Sequence, residues 1–281
     1  MKGGAVPSGR RRFPWRIVVA TALVIVLGGS GFVAVRYLSR ERPGAMSLNA
    51  AVKAFKGKGS IPIRGNLTYE PSAQGIYTLN GQGAERISFP PNSQRDGEAM
   101  PASVTYIANG CWRWHLDYNV AHWEEYDFCP HAMKMLLAGD RNSQSWDFGT
   151  FRINNLARFT CASDAVVLPE DPKPGQTLEW PCAGTNTAVP GRTIAATNVR
   201  IVGIHALRIA GAVVPTVHEL QRVKLSGGQR GTVREDWWFT VSSGLPVRLE
   251  RHISILSSSP VGTITYDEAG SWQMVSLEPR T

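Results

Sequence analysis

The sequence carries no G-x-S-x-G elbow, Walker A loop, H-E-x-x-H or G-x-G-x-x-G, which removes the common signatures of serine hydrolases, P-loop NTPases, zincins and dinucleotide enzymes. Cysteine is scarce, four in 281 residues with no C-x2-C pair, so the usual zinc spacing is absent. No sustained helical period and no short internal repeat is present beyond the N-terminal region, which excludes helical bundles and solenoids. Charge is missing from one stretch entirely: Ile17 to Val35 (IVVATALVIVLGGSGFVAV) holds 19 residues without an ionisable side chain.

That stretch defines the topology. As a helix it measures about 28 Å, close to the ~30 Å hydrocarbon core of a bilayer. The formal net charge is +8, but residues 1–45 hold eight of the 30 basic groups against one of the 22 acidic groups. The remaining 236 residues carry 22 basic and 21 acidic groups, so the basicity belongs to the membrane flank and does not point to nucleic acid. Five basic residues precede the span, which by the positive-inside bias places the N-terminus in the cytoplasm. Trp15 and Tyr37 suit the two interfaces. Gly29-Ser30-Gly31 has the size of a cleavage site, yet Phe32 to Val35 continues the apolar run, no cysteine follows as in a lipoprotein, and Pro14-Trp15 departs from a twin-arginine signal. The reading is a retained single-pass anchor in the cell membrane. It has a basic cytoplasmic tail over 1–16, a transmembrane helix over 17–38 and an extracytoplasmic remainder.

Residues 39–60 read as a juxtamembrane stalk, with a short helix over Ser47 to Phe55 capped by Ser47 and an apolar face of Leu48, Val52 and Phe55. From residue 61 short β-branched or aromatic runs alternate with Gly, Pro and Asn punctuation. This predicts an all-β or β-dominated ectodomain, an antiparallel meander, half-barrel or sandwich, in a disulfide-containing half over 61–185 and a meander half over 195–281. Turns are expected at Gly81–Gly83, Ser226–Gly231, Ser242–Gly244 and Asp267–Gly270, an exposed loop from Pro90 to Pro101, and a short helix over Ala132–Ala138. Pro246 to Ile255 alternates well, with Val247, Leu249, Ile253 and Ile255 on one face, interrupted by Arg251.

All four cysteines fall on the outer side, where an even number reads as disulfides. In the stretch CWRWHLDYNVAHWEEYDFC, pairing residues whose numbers sum to 240 sets Cys111 against Cys129, Arg113 against Asp127 and His115 against Glu125. The other face then matches Trp112 with Phe128 and Trp114 with Tyr126. The next register loses every match. Sequential pairing, 111–129 and 161–182, follows; a zinc site from cysteines with His115 or His131 is the weaker reading. Glu124 and Glu125, as neighbours on a strand, face opposite ways and cannot flank one glycosidic bond.

The hairpin, together with Leu178-Glu179-Trp180-Pro181-Cys182, is similar to uncharacterised single-pass envelope proteins of high-GC Gram-positive bacteria. Asp236-Trp237-Trp238-Phe239 followed by Gly244-Leu245-Pro246-Val247-Arg248 resembles the strand-turn-strand of LolA-like lipoprotein carriers, over residues 213–256. That resemblance implies a curved antiparallel sheet around an apolar lipid cavity. The chain departs from it in lacking a lipobox and plugging helices and in carrying the cysteine hairpin, so no residue-level role transfers.

The function read from the sequence is therefore a membrane-tethered, non-catalytic extracytoplasmic β domain that binds an apolar ligand or an envelope protein. No catalytic residue, metal or cofactor is assigned. Trp238, with Arg234 and Asp236 on its face, is the candidate ligand or partner surface. An envelope hydrolase with a polar site over residues 113–127, and a receptor-like module of a membrane complex, are the alternatives. Orientation is testable in intact cells with a membrane-impermeant maleimide: Ala5→Cys is expected to stay unlabelled and Ser60→Cys to react. Labelling at residue 5 would reverse the topology.

Overall fold

The computed structural model describes residues 42–56, 72–259 and 262–281; the basic tail, the span over 17–38 and part of the stalk lie outside them. Among the described residues no helix is long and apolar enough to cross a membrane. Arg42–Trp146 and Arg152–Thr281 form one compact unit, while Asp147–Phe151 groups separately as a tight turn closed by a Phe148 N–H donating to the Phe151 carbonyl.

The single α-helix among the described residues, α1 (Leu48–Lys56), starts where a Ser47 hydroxyl accepts from the Ala50 N–H. Leu48, Val52 and Phe55 are half-buried, as their spacing predicts. The rest is strand: β1 (Gly75–Ile87), β2 (Asn92–Arg95), β3 (Ala99–Tyr106), β4 (Trp112–Asn119), β5 (His122–His131), β6 (Lys134–Asp147), β7 (Arg152–Cys161), β8 (Val166–Leu168), β9 (Thr177–Asn186), β10 (Val189–Ile209), β11 (Ala212–Gly227), β12 (Gln229–Thr240), β13 (Pro246–Ser259) and β14 (Gly262–Met274).

Successive strands pair antiparallel, and β1 pairs with β14, so twelve strands close into a barrel with β2 and β8 as short additions. Closure removes both sheet edges. In the ring β12 stands opposite β5, a placement that lets side chains of the two strands meet across the lumen. Tyr126 packs against Trp237, Phe128 against Phe239, and Trp237 and Trp114 both against Trp272, with ring centroids 5.5 to 6.2 Å apart. Each such side chain contributes about 1.5–3 kcal/mol when fully buried. The protein's own aromatics thereby pack against one another across the lumen.

The hairpin β4–β5 has the register that sums to 240 throughout, from Trp112↔Phe128 to Asp117↔Trp123. Both disulfides form as expected, Cys111–Cys129 and Cys161–Cys182, with Cα atoms 4.2 and 3.9 Å apart, the close spacing of non-hydrogen-bonded strand neighbours.

Four expectations are corrected. Ala132–Ala138 is not a helix: Ala132 takes a positive φ of 52° in a tight turn, and Lys134 onward pairs with β5, because hairpin closure and burial of Met135 outweigh local helix propensity. Gly81-Gln82-Gly83 is not a turn but the middle of β1. A Cβ on Gly81 would come within 2.4 Å of Met100 Cε and the Ser271 carbonyl, so glycine there admits a close neighbour. Asp267–Gly270 likewise runs straight through β14. The Pro90–Pro101 loop contains β2 and the start of β3, which line up in turn along β1.

Removing either disulfide by paired Cys→Ser replacement is expected to cost about 3 kcal/mol in the chain-entropy estimate, for separations of 18 and 21 residues. Denaturant midpoints measure the cost, and a non-reducing peptide map checks the pairing.

Candidate functional site: a buried ionic network and an outer groove

Strand alternation sends the hairpin's charges to two places. Outside, Arg113 donates to both carboxylate oxygens of Asp127 at 2.6 and 2.9 Å, and Arg141 lies 2.7 Å from Glu125. His115 bridges Glu125 at 3.0 Å and Asp117 at 3.1 Å. Burial alone lowers the affinity of the His115 ring for a proton, but the bonds to Asp117 and Glu125 reverse this and raise its pKa. These outer groups satisfy one another, as the register predicts.

Inside, Glu124 faces the lumen and meets Arg251, the residue that interrupts the apolar face of β13. The Arg251 guanidinium is 2.6 Å from Glu235, 2.9 Å from Glu124 and 3.1 Å from Glu268, and donates to the Tyr118 hydroxyl at 2.6 Å. Only 6% of Arg251 is exposed. Tyr118 and Tyr126 hydroxyls donate to Glu124, as does Asn142, and the Trp237 indole N–H donates to Glu235. Burial opposes ionisation of Glu124, yet the Arg251 and His122 charges with these bonds carry its pKa down to about 2.

A second knot adjoins it. Tyr266 donates its hydroxyl between Glu85 and Glu268, and Gln144 donates to Glu85 at 2.8 Å. His122 stacks on Tyr118 at 4.6 Å and stands 3.4 Å from Glu85. Burial works against the His122 cation, but Glu85 and the surrounding carboxylates push its pKa up to about 9. Burial drives the Asp96 carboxyl up to about 7, with the Glu268 charge adding to it, and burial takes Asp140 up to about 8. Further along the lumen Glu219 is fully buried, bonded only to Gln221, and held far above the usual carboxylate range by desolvation.

On the outer wall a groove of about 950 Å³ crosses β12, β13, β14 and β1. Arg234, Asp236, Glu250 and His252 line one side and Arg95 and Glu98 the other, with Asp96 and Arg251 at its floor. The candidate surface residues separate here. Arg234 and Asp236 reach the groove and lie 3.5 Å apart. Trp238 is 8% exposed, stacked on His218 at 4.1 Å with the Arg248 guanidinium 4.7 Å from its ring, so neither face is open to a ligand. Asp236 also bonds His218 at 2.9 Å. Cys111, Cys129, Cys161 and Cys182 are all spent in disulfides.

The inner network was missing from the candidate residues. Its signal was Arg251 itself, a charge on the apolar side of an otherwise alternating strand.

No family model matches the chain. No curated protein matches it. Among solved structures it is similar to the crystal structure of the hypothetical lipoprotein YmcC from Escherichia coli (K12), at 12% identity and a TM-score of 0.33, over 80% of this chain and 98% of that one.

Glu219 gives a pH test. Its folded pKa lies above the unfolded value, so the folded state holds the extra proton and stability falls as pH rises past about 4.5. Glu219→Gln is expected to remove that slope, leaving a variant equal to the parent near pH 4 and more stable near pH 8 by denaturant unfolding. An unchanged slope would assign the pH dependence elsewhere.

Proposed function

We propose that the chain is a non-catalytic, extracytoplasmic binding domain, tethered through Ile17 to Val35, that engages an envelope protein through its outer groove. The observation that carries this reading is where open space lies. The lumen is occupied by Trp114, Trp237, Trp272, Phe128 and Phe239 at one level and by the Arg251 network at another. The groove is open, and Arg234 and Asp236 border it.

The groove's chemistry selects the partner class. Arg95, Arg234 and His252 interleave with Glu98, Asp236 and Glu250, a mixed-charge lining that suits a protein surface of complementary charge better than an acyl chain. A LolA-like lipid carrier needs an apolar lumen with space in it; here aromatics pack across the lumen, and the apolar-lined cavity bordered by Tyr77, Val214, Leu245 and Leu277, about 500 Å³, is smaller than the groove. The outer charges of residues 113–127 already pair with one another, so they offer a hydrolase no free base or nucleophile.

Site-specific photo-crosslinking of the full-length chain in its own membrane tests this. A photoreactive residue at Gln82 or Ser271, in the groove, is expected to give a discrete protein adduct, reduced at least tenfold by Arg234→Glu. The same probe at exposed Arg158 is expected to give none. Equal adducts at all three positions, or a lipid adduct at the groove sites, would overturn the reading.

A further inference from the structure

We propose that Glu85, His122 and Glu268 form a binding site for a first-row divalent cation, zinc being the test ion, inside the barrel beneath the outer groove.

The donor set is built by the fold. Glu85 on β1, His122 on β5 and Glu268 on β14 come from three strands, and one donor atom of each lies within 4.8 Å of the others. All three are buried, the Glu85 and His122 side chains completely. Two of the donor atoms have no hydrogen-bond partner: Glu85 Oε1 and His122 Nδ1. Neither atom completes a hydrogen bond, and the two face each other at 3.4 Å as a loose ion pair. A tetrahedral zinc with bonds of 2.0–2.1 Å sets its ligands about 3.3 Å apart. The 3.4 Å between Glu85 Oε1 and His122 Nδ1 matches that ligand spacing.

The surroundings support the same assignment. The other Glu85 oxygen is held by Tyr266 and Gln144, which leaves Oε1 turned to His122. The far ring nitrogen of His122 faces the Asn142 side-chain amide at 3.1 Å, with Glu124 3.9 Å away. Charge also fits. Glu85, Glu124, Glu235 and Glu268 share the lumen with Arg251 and His122 as the cationic groups. Carboxylates in excess at this depth need either protons or a cation. One imidazole with carboxylates suits zinc, manganese or iron, whereas calcium calls for six or more oxygens.

Gly83 on β1 pairs directly with Gly270 on β14, and Asp96 inserts over them: a Cβ on Gly83 would stand 1.9 Å from Asp96 Oδ2. Asp96 lines the outer groove, and its Oδ1 is buried without a partner. The aspartate thus lines the groove and lies within electrostatic reach of Glu268, His122 and Glu85, a carboxylate on the outer side of the proposed site.

The test uses the full-length chain in detergent, stripped with a chelator, dialysed and titrated with zinc alone by calorimetry, with metal content read by mass spectrometry. The expected result is one zinc per chain, binding weakened at least 100-fold in both His122→Gln and Glu85→Gln and unchanged in His115→Gln on the outer face. Both disulfides in each variant, shown by non-reducing peptide map, certify the fold. If a variant fails to fold, zinc K-edge absorption of the parent decides: one imidazole nitrogen with oxygens and no sulfur supports the site, and any other ligand set overturns it. No stoichiometric zinc, or zinc retained by both inner variants, also overturns it and leaves shared protons as the neutralising charge.

Discussion

The structure depends on where one guanidinium sits. Arg251 enters the lumen from β13 and holds carboxylates from β5, β12 and β14 together with a hydroxyl from β4. Those strands span the ring, so its hydrogen bonds fix how far across the barrel opposite walls stand. Such a network is poor evidence for stability, since desolvating the ions offsets most of their attraction. Its strength lies in specificity. A one-residue slip of β13 would turn Arg251 outward and leave Glu124, Glu235 and Glu268 buried without it, a penalty that falls on the wrong register alone. The aromatic layer supplies the favourable burial, and the ionic layer specifies which barrel is made.

The hairpin β4–β5 serves both layers because strand side chains alternate. Trp112, Trp114, Tyr126 and Phe128 face inward to the aromatic layer, and Tyr118, His122 and Glu124 continue the same face into the ionic one. Arg113, His115, Glu125 and Asp127 close the outer face among themselves. One register satisfies all of these, and the disulfide between Cys111 and Cys129 locks it. This much was legible in the sequence, since cysteine spacing, charge matching and aromatic matching all lie within 19 residues and agree on one sum.

What was not legible is non-local. The partners of Arg251 in β4 and β5 lie 133 and 127 residues away, so the sequence displays a charge breaking the pattern of β13 without displaying what receives it. Barrel closure has the same character: β1 pairs with β14 across nearly the whole length of the barrel sequence, and no local feature of either strand announces the other. Glycine misleads for a related reason. At Gly81, Gly83 and Gly270 the residue reads as a turn, yet each lies within a strand; a neighbour's atoms come too close for a Cβ at Gly81 and Gly83, and the fit is tight at Gly270. The Ala132–Ala138 run shows propensity overruled, its helical composition bent into a strand by the hairpin it follows.

The Gly83–Gly270 pair joins the two regions that carry the functional argument. Opposed on β1 and β14 at the seam that closes the barrel, they leave a hollow in the wall that side chains would otherwise fill. Asp96, at the break between β2 and β3, occupies it, with its amide N–H bonded to the Gly83 carbonyl. Its carboxyl therefore belongs at once to the outer groove and to the field of Glu268, His122 and Glu85. Asp96 thus feels the charges of the groove and those of Glu268, His122, Glu85 and Arg251 together. The seam thereby places a titratable group in the wall itself, where surface and interior share it.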